Sequence, residues 1–267
     1  MGRYVSPEGR ADAVVAPLEA EPHLSEVVVA LQAGGVPQVG SLVLHGNPSD
    51  ALIEAADEFE ADLLVISSRG ESGLRRAVLG SVAEQLIREA RETAILLSPA
   101  REAGGDQRMR RAMVTLDGSK VSRIALPHAE YLARALGVEL VLFQATDSEA
   151  ELLAASTPVG LPPAPSISPD AAQRVVAEQR AAVEAELREH EAALRSRGLE
   201  EVVVEVASGS PSDAILDASE RLEVDLVVMA THGRGGLGRL LLGSVADAVS
   251  RNIEQAAVLL IRAEQDD

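Results

Sequence analysis

The sequence predicts an α/β fold made of two tandem, doubly wound parallel-sheet units, the first lacking its opening β-α-β. Three observations carry this. The chain repeats itself without a gap, at an offset of 163 residues, from about Gly46 to Ser98. Short apolar runs alternate with stretches of helical periodicity, the pattern of parallel strands covered on both faces. In each copy a glycine-bearing loop separates a strand from a helix: "VISSRGESGLRRAVLGSVAEQLIR" (Val65–Arg88) and "VMATHGRGGLGRLLLGSVADAVSR" (Val228–Arg251).

The repeated elements follow in order. "GNPSDALIEAADEFEADLLVIS" lies over "GSPSDAILDASERLEVDLVVMA", and in both a Pro-Ser-Asp opens a helix whose free amides its Ser or Asp can cap. The apolar runs "DLLVI" and "DLVVM" are buried strands. After the glycine loop a second amphipathic helix starts at Ser81 or Ser244, and each copy closes on an apolar strand, Thr93–Ser98 or Ala256–Ile261.

Only the C-terminal copy carries the preceding elements. These are a strand over Ala112–Leu116, a turn at Asp117-Gly118, a helix to Ala135 and a strand over Glu139–Ala145. A Pro- and Ser-rich stretch over 147–170 reads as a flexible insertion, and a long helix then runs from about Ala171 to Ser196, ended by Gly198. The N-terminal copy has in their place only a helix in "HLSEVVVALQAGGV" and a strand in "QVGSLVLHG". The expected division is residues 1–100 for the N-terminal copy, a linker over 101–109, and 110–263 for the C-terminal copy.

Composition narrows the function. With 42 acidic against 24 basic residues the formal charge is −18, which repels phosphate backbones and anionic lipid heads, so nucleic acid and membranes are not expected partners. Two Phe, two Tyr and no Trp leave no stacking platform for single strands. The chain has no cysteine, which excludes disulfides and cysteine-ligated metals and favours a cytoplasmic location. No apolar run reaches the roughly 20 residues of a membrane helix.

The glycine loops have a chemistry of their own. A glycine lets a ligand approach the main chain, and the first amides of the following helix lack internal partners and sit at the positive end of its dipole. Gly233, Gly243 and Ser244 therefore form a candidate phosphate site that needs no cationic side chain. Asp117, ending the first strand of the same unit, faces the crevice where doubly wound sheets bind ligands and can hold a ribose hydroxyl or a magnesium ion bridging phosphates. The plainer readings stand beside this one: glycines as turn residues, Ser81 and Ser244 as caps, Asp117-Gly118 as an ordinary turn, and His232, Arg234 and Arg239 as solvated loop residues.

The runs "VTLDGSKVSRIALPHAEYLARALGVELVLFQA", "GSPSDAILDAS", "VDLVVMATHGRGGLGRLLLGSVADAVSR" and "AAVLLIR" resemble the universal stress protein family in its tandem form, over residues 110–262 and less completely over about 23–99. The resemblance implies a Rossmann-like fold of the adenine-nucleotide alpha-hydrolase kind. Its ATP-binding members carry Gly-x2-Gly-x9-Gly-Ser/Thr. Here Gly233, Gly243 and Ser244 match that pattern, and Ala230 replaces its first glycine. Asp117 matches the first-strand Asp, Ala145 falls where main chain meets adenine, and Val245 follows the phosphate serine. With Thr115 and Met229 these make up the implied ATP site. The N-terminal copy retains only Gly70, Gly80, Ser81 and Val82, with Ser67 at the first glycine.

The cofactors so implied are ATP and Mg2+, the latter held with ATP and touched by the protein through Asp117 alone. The last strands, Thr93–Ser98 and Ala256–Ile261, are expected to pair as an internal pseudo-dimer, and a homodimer is a further possibility. Function is then a nucleotide-responsive stress or signalling module. The alternatives are a nucleotide-free interaction module and a slow ATP hydrolase, although neither a Walker-type GxxxxGK[ST] nor an HxGH-like signature is present.

Overall fold

The computed structural model describes residues 20–67, 79–90, 93–99, 108–155, 168–231 and 243–263. The chain divides into two compact units between Phe59 and Glu60. The second unit therefore holds strands from both sequence copies.

The first unit contains α1 (Ala20–Ala33) and α2 (Pro48–Glu58). Asn47 caps α2, its Oδ1 accepting the Ser49 N–H at 3.1 Å and the Ser49 hydroxyl at 2.7 Å. The Pro-Ser-Asp motif thus supplies Pro48 as the first helical residue, where a missing N–H costs nothing, and the cap is the residue before it. Ser210 is the corresponding N-cap in the C-terminal copy and makes no capping hydrogen bond.

The expected strand in "QVGSLVLHG" does not form: Gln38–Gly46 is neither helix nor strand. Its C-terminal counterpart is a strand paired with the strand Glu139–Thr146, and no described residue of the N-terminal copy pairs with this run. A strand's hydrogen bonds lie outside itself.

The second unit contains β1 (Leu63–Ser67), α3 (Ser81–Glu89), β2 (Ala94–Ser98), β3 (Arg111–Leu116), a 3-10 turn (Ser122–Ile124), α4 (Ala125–Leu136), β4 (Glu139–Thr146), α5 (Glu149–Ala155), α6 (Pro169–Ser196), β5 (Val202–Ser208), α7 (Pro211–Arg221), β6 (Leu226–Thr231), α8 (Ser244–Asn252) and β7 (Ala257–Arg262). The strands form one sheet in the order β1-β2-β7-β6-β3-β4-β5. All neighbours are parallel except β2 and β7, which pair antiparallel through Ile95↔Leu260, Leu96↔Leu259 and Leu97↔Val258. The expected pairing of the two last strands is thus present. It joins the sheets of the two copies and covers two apolar edges. The stretch expected as an insertion carries α5, and α6 starts at Pro169 with Ser168 as its N-cap.

One face of the sheet packs Val114, Leu116, Leu140, Leu142 and Val228 against Ala125, Ala129 and Ala133 of α4 and Leu187 and Leu194 of α6. Alanines on α4 let its backbone come close to the sheet, and each fully buried Leu or Val stabilises by roughly 1.5–3 kcal/mol. On the opposite face α7 packs on β4 and β5 and against α8. A carboxylate secures the start of β3: Asp225 Oδ2 accepts the amides of Arg110 and Arg111, at 2.7 and 3.2 Å. Across the junction of the copies, Arg251 of α8 bonds Asp247 on its own helix at 3.0 Å and also Glu84 of α3. Their attraction holds Arg251 protonated, its pKa raised above the ordinary value by these hydrogen bonds.

Candidate functional site

Within the C-terminal copy the strand order β7-β6-β3-β4-β5 reverses direction between β3 and β6. That is the topological switch point, where open α/β sheets bind ligands beyond the carboxyl ends of the strands. Here the two strands also part. They pair only through Ala112↔Leu226, Met113↔Val227 and Val114↔Val228. On either side the ladders run further, to Leu116↔Gln144 between β3 and β4 and to Thr231↔Arg262 between β6 and β7. Thr115, Leu116, Met229, Ala230 and Thr231 lie beyond the last rung between β3 and β6, at the carboxyl ends where open α/β sheets form their binding crevice.

Of the sequence-predicted residues, Thr115, Asp117 and Ala145 stand at or just past the carboxyl ends of β3 and β4, and Met229 and Ala230 stand on β6 beyond its last rung with β3. Thr115 is buried on β3, and Asp117 follows the strand's end, exposed. Asp117 builds the turn: its Oδ1 accepts the Ser119 N–H at 2.9 Å and its own N–H donates to Ser122 Oγ at 3.2 Å. Gly118 takes φ +77°, a conformation in which L side chains are strained. Ala145 on β4 is half-buried, one residue past the last rung with β3. Met229 is buried in β6 and Ala230 half-buried beside it. Ala230 pairs with Ile261 and is not among the positive-φ residues. Alanine in place of the pattern's first glycine therefore costs no backbone strain, and the same holds for Ser67, paired with Ser98.

Gly243 is the N-cap of α8, with Ser244 its first residue, so Ser244 is not itself the cap. The first intrahelical bond is Asp247 N–H to Gly243 O at 2.9 Å. The amides of Ser244, Val245 and Ala246 precede it and point out of the helix start. Gly80 and Ser81 repeat this arrangement at the start of α3, with Glu84 N–H to Gly80 O at 2.9 Å and Val82 half-buried. Neither glycine is required by its conformation: φ is −61° at Gly80 and −57° at Gly243. Nor does packing require them, since a Cβ at either position meets no described atom within 4 Å. Gly70, Gly233, His232, Arg234 and Arg239 lie outside the described residues.

The structure adds a residue that the glycine and acid signals did not single out. Gln144 interrupts the apolar run of β4 next to Ala145, is 7% exposed, and its Oε1 is buried without a hydrogen-bond partner among the described residues. A polar amide inside "VELVLFQAT" was its only sequence mark. Among the described residues, no group of three His, Cys, Asp or Glu is placed to hold a metal, and no helix is long and apolar enough to cross a membrane.

Comparison with known proteins bears on the fold and the family. The model of the universal stress protein family matches residues 3–96 and again 109–262. A universal stress protein of Mycobacterium tuberculosis is 30% identical over 228 residues, covering 85% of this chain and 69% of the relative. Among solved structures, a universal stress protein from Archaeoglobus fulgidus superposes with a TM-score of 0.65 at 22% identity, over 91% of this chain and 78% of that one. One from Pseudomonas aeruginosa gives 0.62 at 16% identity, over 93% and 80%. The likeness to these structures is one of fold; the two family matches, one on each copy, decide membership. The chain belongs to the universal stress protein family, in tandem form.

Proposed function

We propose that the C-terminal copy binds ATP together with Mg2+ in the crevice between β3 and β6, and that occupancy makes this chain a nucleotide-responsive stress or signalling module of the cytoplasm. The observation that carries the reading is the early parting of β3 and β6 at the switch point, with Asp117 following the end of β3; α8, the next described element after β6 in the chain, offers the amides of its first turn. Gly243 supports it further. Nothing in the backbone or the described packing calls for glycine there, whereas a ligand lying against the main chain does.

In this reading Gly233, Gly243, Ser244 and Val245 hold the phosphates through main-chain amides and the Ser244 hydroxyl. Asp117 serves the ribose or the magnesium ion. Ala145 and Thr115 border the base and sugar, and Met229 and Ala230 form the wall on the β6 side. The helix dipole supplies local positive potential that the −18 net charge does not. Magnesium neutralises phosphate charge when bound. The N-terminal copy keeps a phosphate loop at Gly70, Gly80, Ser81 and Val82 without an Asp or a base wall, so one competent site is expected. The module acts by population shift, ATP binding one state of the chain better than another.

Calorimetric titration of Mg-ATP into the purified chain tests this, since a chain without Trp gives little fluorescence change. A stoichiometry near one is expected, with at least a ~100-fold loss of affinity in Gly243→Val and none in Gly80→Val. A stoichiometry near two moves function into both copies. No heat at several temperatures, together with no retention of labelled ATP in equilibrium dialysis, overturns the reading and leaves an interaction module.

A further inference from the structure

Gln144, paired with Leu116 at the last rung between β3 and β4, is a buried polar residue that neither the glycine pattern nor Asp117 accounts for. It shares a face of β4 with Leu140 and Leu142, both packed in the core beneath α4 and α6, and follows them at the carboxyl end of the strand. There its carboxamide reaches the Asp117-Gly118 turn: a Cβ on Gly118 would stand 3.8 Å from Gln144 Nε2. The side chain is 7% exposed and Oε1 has no partner. A buried carbonyl left unpaired costs about 1–3 kcal/mol, whereas an apolar side chain of the same size costs nothing comparable.

Two amides of the adjacent turn are already engaged, Ser119 N–H with Asp117 Oδ1 and Asp117 N–H with Ser122 Oγ. A second orphan lies nearby. Gln179 of α6 sits 3.5 Å, Nε2 to Oδ2, from Asp147, three residues beyond Gln144, and its Oε1 is also buried without a partner. The carboxyl end of β4 thus carries an excess of acceptors, and Gln144 there stands beside the Asp117-Gly118 turn that ends β3.

We infer that Gln144 is a specificity residue of the nucleotide crevice, its Oε1 accepting a hydrogen bond from an O–H or N–H donor on the bound nucleoside. The inference rests on the ATP reading and deepens it. A site that holds an acceptor in a dry position discriminates against ligands lacking the donor, because the acceptor is then left unpaired. The donor is a ribose hydroxyl or the exocyclic amine of the base.

The test compares the wild-type chain with Gln144→Met, which keeps the volume and removes the amide. Both are titrated with the magnesium complexes of ATP, 2′-deoxy-ATP, 3′-deoxy-ATP and the purine riboside triphosphate that lacks the amine. In the wild type one of the three analogues should bind roughly tenfold more weakly than ATP, identifying the donor, and in Gln144→Met that difference should vanish while ATP itself weakens roughly tenfold. The melting temperature of Gln144→Met should be unchanged or higher, since an orphan has been removed from the core. Should Gln144→Met not fold, Gln144→Asn, which withdraws the amide by one methylene, is read in the same way. If the variant binds ATP as tightly as the wild type and ranks the analogues as before, the inference is overturned and the ATP reading stands. If the wild type binds none of the four, both fall together.

Discussion

Val65 and Val228 hold the same place in the two copies, each the third residue of an apolar run after an aspartate, yet Val65 is 60% exposed and Val228 fully buried. Two residues earlier, Leu63 is 43% exposed where Leu226 is 2%. The difference lies in the neighbours. β6 has β3 on one side and β7 on the other, whereas β1 pairs with β2 alone among the described strands. The aspartate before each strand tells the same story: Asp225 anchors the amides leading into β3, and the N-terminal copy has no β3 to anchor. A strand sequence specifies extended backbone and an apolar surface. Whether that surface becomes core depends on what is laid over it.

The largest effect should separate these two valines. Val228→Ala removes two methyl groups from a filled core and should cost about 2–3 kcal/mol in urea unfolding. Val65→Ala should stay within about 0.5 kcal/mol, as at an exposed position. Equal losses would break the comparison and show that β1 is covered in solution.

The order of strands and helices was legible because apolar runs and helical periods differ in length and spacing, and because the repeated elements each had a second witness. What failed depended on partners. The run at Gln38–Gly46 reads as a strand but has no ladder to join. The capping residue at the helix starts is set by where the first turn closes, and that falls one residue before the Pro-Ser-Asp motif. At the site, Asp117, Ala145 and the α8 start could be placed around one opening from their positions at strand and helix ends. Gln144 could not: glutamine in a strand carries no signature, and its significance comes from burial without a partner, a property of the folded state. The sequence also could not say whether Ala230 replaces a glycine at a strained φ; its place in the β6 ladder shows that it does not.

A middle-sized effect belongs to α4, which among the described residues only the C-terminal copy has. Glu130 of α4 accepts from Arg197 at the end of α6, at 2.7 and 3.1 Å, and from Arg134 at 2.9 Å. The hydrogen bonds from Arg197 foremost, then those from Arg134, hold its carboxyl below the ordinary value of 4.5, against the opposing effect of burial. A carboxylate whose pKa is lowered on folding stabilises above its unfolded value, and that stability is lost as pH falls through the lowered one. Glu130→Gln should therefore cost about 1 kcal/mol at neutral pH and nothing once the medium is acid enough to protonate Glu130 in the folded chain. Thermal midpoints of the two proteins should converge on acidification. If the gap stays constant, the contribution of Glu130 is packing and not charge.

The smallest effect sharpens the comparison from the opposite side, because here the copies should agree. Glu60 and Glu223 stand at matching positions and are the described non-glycine residues with positive φ, 48° and 52°. Three other helices end with a glycine in this region, Gly35 after α1, Gly137 after α4 and Gly198 after α6. A side chain in the left-handed region costs about 1 kcal/mol or more, and glycine gives back part of that through its looser unfolded chain. Glu223→Gly should then stabilise by roughly 0.5–1 kcal/mol, and Glu60→Gly by the same amount. The strain is stored in one residue's own backbone, so covering strands and helices do not enter it, in contrast to the valines. A gain at Glu223 with none at Glu60 would place the start of β1 outside the cooperative unfolding of the sheet, and the exposure of Val65 would then belong to a strand that unfolds ahead of the rest.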